Sequence, residues 1–391
     1  MERNIKDIYM KRIMNLVAVV AAIAGLNSCG PEYEKPAEGS QKGFALSFFK
    51  SVNATVETGE NIVVSPYSAG VALSMVAEGA EGETRVEFDN ALNGCLFKAV
   101  DLGSNDTVVV KSANSVWVDD DFSVRNRYVN LLQKDFEAMV VNLNFGDPAT
   151  VRSINNWCAE NTAGKITEIV DRLEPGMVMM LVNALYFNAP WAEAFPMRNT
   201  HEDVFHGRSG NVQVPMMAKT ERLNYAEYQG CQMVELPYKG DRYAMYVVLP
   251  AAGMDVETML SYVNESIYDK AMSMLSPVKV KLTMPKLRLE TSMVLNKPLQ
   301  KMGIRTAFTP AADFKGISEM GPLVLNQVKQ KCYIDVSEKG TEAAAVTSVG
   351  VRLTAARPET VVTMNVDRPY IFFISDRTDG NILFAGKVVN L

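Results

Sequence analysis

Two rhythms of apolar and polar residues run through this chain, one near period 3.6 and one of period two, and together they sketch an α+β protein. Phe44, Phe48, Phe49, Val52 and Val56 recur at helical spacing. Ser65-Pro66 reads as a helix cap followed by proline at the first helical position. Residues 112–118 read as a strand stopped by Asp119-Asp120-Asp121. The run from Met177 to Phe187 is nearly all apolar, as a strand buried on both faces would be. Tyr243–Leu249 and Val278–Met284 also read as strands, the second with Lys279, Lys281 and Thr283 on its outer side. Val328, Gln330, Cys332, Ile334 and Val336 form one face of a further strand. Asp379-Gly380 between the apolar runs Tyr370–Ile374 and Ile382–Val388 predicts a closing hairpin.

The stretch after Glu338 alternates too, but with weak strand formers. Thr341, Ala343, Ala345, Thr347, Val349, Val351 and Leu353 are small or apolar and carry no formal charge. Glu342, Ala344, Val346, Ser348, Gly350, Arg352 and Thr354 hold both charges. No proline occurs from Glu338 to Arg357, so a central sheet position is open to it. Alanine and glycine nevertheless favour other states. Two readings follow: a loop that joins a sheet only when released, or a short Ala-rich helix capped by Thr341, which propensity alone favours.

At 391 residues the chain can bury a large core without disulfide or metal staples. Its net charge is −6 and its cations are scattered, which argues against a nucleic-acid partner. Cys95, Cys158, Cys231 and Cys332 are irregularly spaced without a CxxC pair and read as small buried hydrophobes. The two histidines, His201 and His206, lack metal-site spacing and read as surface-strand residues. No metal or cofactor is expected. Glu78-Gly79-Ala80-Glu81-Gly82 reads as a helix end with no general-acid role. No G-x-S-x-G, Walker or G-x-G-x-x-G pattern occurs and Ser65 has no base near it in sequence, so an enzyme is the weaker class.

The N-terminus has its own logic. Met10-Lys11-Arg12 precedes an apolar run from Ile13 to Leu26, the length of a signal peptide. Leu26-Asn27-Ser28-Cys29-Gly30 resembles a bacterial lipobox with Cys29 as the lipidated residue, Asn27 being unusual there. The expected division is a signal over 1–28, a tether over 29–42 and one folded domain over 43–391. Export and a lipid anchor at a bacterial envelope membrane follow as expectations.

Blocks spread over the domain resemble the serpin family. Asn61-Ile62-Val63-Val64-Ser65-Pro66-Tyr67-Ser68 resembles its shutter, and Ile154-Asn155-Asn156-Trp157 with Thr162-Ala163-Gly164-Lys165-Ile166 its sheet-crossing helix. Val182-Asn183-Ala184-Leu185-Tyr186-Phe187, with Trp191 and Phe195, resembles the breach strand. Val214-Pro215-Met216-Met217, Glu235-Leu236-Pro237-Tyr238, Met284-Pro285-Lys286, Asp367-Arg368-Pro369-Tyr370 and Gly386-Lys387-Val388-Val389-Asn390 are similar to further serpin blocks in the same order.

The resemblance implies three β-sheets with about eight or nine helices and an exposed reactive-centre loop. It implies an inhibitor, not an enzyme: a monomer that traps serine or cysteine proteases as acyl-enzymes by inserting the cut loop into the main sheet. The alternative is a non-inhibitory serpin acting as a binding or chaperone-like surface lipoprotein. Residue by residue, Glu338 and Lys286 would form an ion pair, and Gly340 would be the hinge. Thr341 would insert first, Ala343, Ala344 and Ala345 would slide between strands, and Thr347 would reach the shutter. Ser65, Ser68, Asn183, Trp191 and Gln330 would line shutter and breach; many serpins have a histidine where Gln330 stands. Counting from Glu338 puts the reactive bond at Thr354-Ala355, with Arg352 and Leu353 as alternatives, in a loop about four residues longer than is common.

Overall fold

The computed structural model describes residues 39–341 and 360–391. The chain divides into two compact units, Met1–Lys35 and Pro36–Leu391, and every described residue belongs to the second. The expected lipidation site Cys29 and the apolar run before it lie outside the described residues.

Among the described residues there are eight α-helices: α1 (Gln41–Asn53), α2 (Pro66–Ala77), α3 (Gly82–Ala91), α4 (Asn126–Phe136), α5 (Pro148–Asn161), α6 (Val256–Tyr262), α7 (Glu265–Ser273) and α8 (Asn296–Lys301). Ser40 caps α1, so this helix starts just inside the segment expected to be a tether. Its apolar stripe, Phe44, Phe48, Phe49 and Val52, is buried. Ser65 caps α2 with Pro66 next, as the sequence predicts. Residues 78–82 are a helix end, with Glu78 closing α2 and Gly82 opening α3.

Among the described residues the strands form a six-stranded sheet and a nine-stranded sheet, the second dividing in two along one long strand. The first has the order β10 (Leu287–Val294), β11 (Lys329–Ser337), β12 (Gly340–Thr341), β4 (Met179–Pro190), β2 (Val109–Asp119), β3 (Met139–Leu143). The two parts of the nine-stranded sheet share the 19-residue strand β6 (Gly210–Tyr228). Its last residues, from Tyr225, pair with β7 (Cys231–Pro237) and continue through β8 (Tyr243–Leu249), β14 (Tyr370–Asp376) and β15 (Ile382–Val388) to β1 (Ile62–Val64). Its earlier residues pair with β5 (His201–Gly207) and β9 (Ser276–Pro285), and β9 pairs in parallel with β13 (Val361–Asn365). Asp379-Gly380 turns the β14–β15 hairpin, with Gly380 at φ 77°. His201 and His206 are exposed on β5.

β4 is apolar along its length because each face meets a different core. Leu185, Phe187 and Ala189 join the main core with Tyr238 and Phe384. Val182 and Ala184 face a smaller cluster with Ile154 and Cys158 of α5 and Trp117 of β2. The helix α5 therefore lies across the six-stranded sheet, while α2 packs behind it between β4 and β15. Among the described residues, Cys95, Cys158, Cys231 and Cys332 form no disulfide, and Cys158 and Cys332 are buried.

Candidate functional site

At one end of the six-stranded sheet the chain leaves β11, turns through Glu338-Lys339 and starts back as β12. Gly340 makes the turn at φ 147°, a conformation side chains rarely adopt. A Cβ there would lie 2.2 Å from the Ala189 carbonyl oxygen and 2.5 Å from Pro190 Cα. Only glycine lets the two backbones come that close. β12 runs antiparallel to both neighbours, with Thr341 opposite Val336 of β11 and Ala189 of β4.

Thr341 is the first residue of this strand to face the core. Its side chain is buried, and its hydroxyl lies 2.7 Å from the Tyr238 hydroxyl, which is the partner a buried hydroxyl needs. Burial pushes the Tyr238 phenol well above its ordinary pKa, so it stays a neutral hydrogen-bonding group. The Tyr238 ring stacks on Trp191, centroids 4.5 Å apart and 13° from parallel. Trp191 in turn holds the turn from both sides. Its indole Nε1–H donates to the Ser337 carbonyl at 2.9 Å, and its backbone N–H donates to the Lys339 carbonyl at 2.9 Å.

Glu338 anchors the other flank. Its carbonyl accepts from the Phe195 N–H at 2.8 Å. Its carboxylate pairs with the Lys286 ammonium at 3.0 Å and accepts from the Thr200 hydroxyl at 2.9 Å. Burial pushes this carboxyl upward, but hydrogen bonds from its own N–H, Lys286 and Thr200 outweigh that and hold it below its ordinary value. The ion pair expected between Glu338 and Lys286 is therefore formed.

A second group lies where β11 passes α2. The Gln330 side-chain carbonyl accepts from the Ser65 N–H at 3.0 Å, while its amide donates to the Ser65 carbonyl at 2.8 Å. Ser65 Oγ accepts from the Ser68 N–H at 3.1 Å and donates to the Leu383 carbonyl at 2.7 Å. Gln330 thus uses one donor and one acceptor at once on a single residue, which an imidazole, with its two nitrogens pointing apart, cannot do in the same way. Asn183 sits apart from this clamp. Its amide donates to Asn114 Oδ1 at 2.5 Å, and its own Oδ1 is buried with no hydrogen-bond partner among the described residues. Ser65, Ser68 and Gln330 lie together, and Asn183 binds Asn114.

Ala343, Ala344, Ala345, Thr347, Arg352, Leu353, Thr354 and Ala355 lie outside the described residues. Three contributors escaped the sequence reading: Thr200 on Glu338, Asn114 on Asn183, and Tyr238 on Thr341. Tyr238 ended a recognisable block, but its partner is 103 residues away.

The model of one family, serpin (serine protease inhibitor), matches residues 39–391. The chain is a serpin. An uncharacterized serpin-like protein of Thermococcus kodakarensis is 34% identical over 372 residues, covering 91% of this chain and 86% of that protein. Iripin-2 of Ixodes ricinus is 31% identical, covering 95% and 98%. Among solved structures, the thermophilic serpin tengpin in its native state has a TM-score of 0.83 at 28% identity, over 94% of this chain and 98% of that one. Serpin48 of the insect Tenebrio molitor, described as highly specific, has a TM-score of 0.75 at 30% identity, over 93% and 100%. The serpin fold and membership of a family of protease inhibitors stand on these matches.

Proposed function

We propose that this serpin is an irreversible suicide-substrate inhibitor of serine, and also cysteine, endopeptidases. The observation that carries the reading is the position of β12. Two residues are already paired between β11 and β4, antiparallel to both, with Thr341 side chain inward. A strand continued in that register after cleavage would place position 343 between Ile334 and Phe187, and 345 between Cys332 and Leu185. It would place 347 between Gln330 and Asn183. The first four neighbours are buried, so alanines at 343 and 345 suit the inward side. Threonine at 347 would bring a hydroxyl to the unpartnered Asn183 Oδ1.

In this mechanism the protease nucleophile adds to the carbonyl of Thr354, and the amine of Ala355 leaves with a proton from the protease base. Cleavage frees the segment after Thr341 to extend between β11 and β4. The thirteen residues 342–354, at ~3.3 Å each, carry the acyl link about 43 Å beyond Thr341, before water can reach the ester or thioester. The energy comes from sheet hydrogen bonds and burial that the intact loop withholds. Small side chains at Ala343, Ala344 and Ala345 favour this reading over a non-inhibitory binding serpin.

The test is a panel of trypsin-, chymotrypsin-, subtilisin-, elastase- and papain-like proteases, with denaturing gels and sequencing of the released C-terminal peptide. Gel-stable complexes cut after Thr354, Leu353 or Arg352 are expected. Cleavage by every protease without any complex would sink the inhibitory reading and leave the binding serpin. Attachment to a bacterial envelope membrane through Cys29 is a separate proposal. Cys29→Ala should lose detergent-phase partitioning, and a wild type that stays aqueous overturns it.

A further inference from the structure

β13 begins where the reactive loop ends, and the sheet beside it is basic on its outer face. Three aligned rows cross β13, β9 and β6: Val361, Lys279 and Arg222; Thr363, Lys281 and Thr220; Asn365, Thr283 and Ala218. Every side chain in these rows is cationic or uncharged, in a chain of net charge −6. Lys281 and Arg222 are exposed and Lys279 is half-exposed. Among the described residues, no carboxylate forms an ion pair with Lys279 or Lys281. Arg222 donates to the Pro277 carbonyl at 3.2 Å and stands directly across the ladder from Lys279.

We infer that this basic face is a docking surface for the target protease, recognising a cluster of carboxylates on the rim of its active-site cleft. The inference rests on the inhibitory reading of the loop. Only five residues lie between Ala355 and Val361, so the attacked bond stays within ~20 Å of this face, even with the chain fully extended. A protease of ~230 residues has a radius of gyration of about 17 Å. An enzyme closed on Thr354 is therefore held within reach of Lys279 and Lys281. Cations at that place act before the bond is cut: they steer the encounter and select among proteases that the loop residues alone would admit. A polyanion is the other ligand such a face could take. The position at the foot of the loop favours the protease, because no other partner must come there.

The test compares wild type with Lys279→Glu/Lys281→Glu. The probes are chymotrypsin-like and subtilisin-like proteases, unmodified or with Asp and Glu near the cleft changed to Asn and Gln. The double variant should associate about tenfold more slowly with the unmodified enzyme at low salt. The difference should shrink near 0.5 M salt and vanish with the neutralised enzyme. Melting temperature should hold, since Lys281 is exposed and Lys279 half-exposed. No slowing, or equal slowing with both enzyme forms, overturns the proposal. So does a lysine-dependent acceleration that needs added heparin, which would assign the face to polyanions. Binding to proteases whose nucleophilic serine is changed to alanine separates the two readings. Salt- and lysine-dependent binding by a wild type that never traps active enzyme would sink the inhibitory mechanism and leave the docking surface. No binding to any inactive enzyme overturns the docking surface.

Discussion

The unpartnered oxygen of Asn183 turns the insertion register into a measurable energy. In the described structure, Asn183 Oδ1 is buried without a hydrogen bond, while Gln330 directs one amide N–H and its carbonyl oxygen at Ser65. If the cut loop extends in register with Thr341, the hydroxyl of Thr347 becomes the donor that Asn183 lacks. Thr347→Val keeps the side-chain shape and removes that donor. The loop-nicked form then loses one buried hydrogen bond and keeps a buried acceptor unsatisfied, a cost of about 1–3 kcal/mol. Unfolding of roughly 350 residues carries an entropy near 0.7 kcal/mol/K, so the nicked form should melt about 1–4 °C lower. The intact form gains nothing from the bond and should change by less than that. Intact and nicked samples of both proteins are to be compared by calorimetry, or by guanidinium titration where the nicked form outlasts heating. The same pair is then measured on an Asn183→Ala background. There the acceptor is gone and Thr347→Val should cost nothing. Equal stability of nicked wild type and nicked Thr347→Val would refute the register, and so would a loss that persists undiminished with Asn183→Ala.

Gly340→Ala puts a Cβ into the β4 backbone, at a φ that costs about 1–3 kcal/mol for a side chain. It should lower the melting temperature of the intact form and shift protease reactions from trapped complex toward cleaved inhibitor; an unchanged gel pattern would count against β12 as the start of insertion. Lys286→Met should destabilise the intact form by under about 1 kcal/mol, because the lysine side chain is 40% exposed and partly screened. Since the Glu338 carboxyl is held below its ordinary 4.5, this contribution is complete above that pH and is lost as pH falls through the folded value, so the two proteins should converge in acid. Convergence at alkaline pH instead would show that another group titrates. Ala345→Arg should be cleaved fast and form little complex, since an unpaired guanidinium facing the core costs several kcal/mol; Ala344→Arg on the other face should do less harm, and equal damage from both would reverse the assigned faces.

Much of the fold was legible because its signals are local. The cap at Ser65-Pro66, the closing hairpin at Asp379-Gly380 and the stripe from Phe44 to Val52 each need only a few neighbouring residues to be read. Glu338 with Lys286 came through family resemblance, and the pair is formed at 3.0 Å. What stayed hidden depends on partners far apart in sequence. Nothing around Thr341 announces that its hydroxyl meets Tyr238, or that Trp191 will hold the turn by two main-chain carbonyls. Nothing around Asn183 says that Asn114 takes its amide and leaves its oxygen unmatched. The apolar run of β4 showed burial on both faces but not that two separate cores supply it. Composition is blind to metastability for the same reason. The alternation after Glu338 is compatible with loop, helix or strand, and local propensity cannot choose among them, because the partners that would decide it lie on β11 and β4, far away in sequence. Gly340 and Thr341 pair with both of those strands, held by a ring stack and one buried hydrogen bond. The insertion proposed for the cut loop starts from those two contacts rather than from the propensity of the alanines.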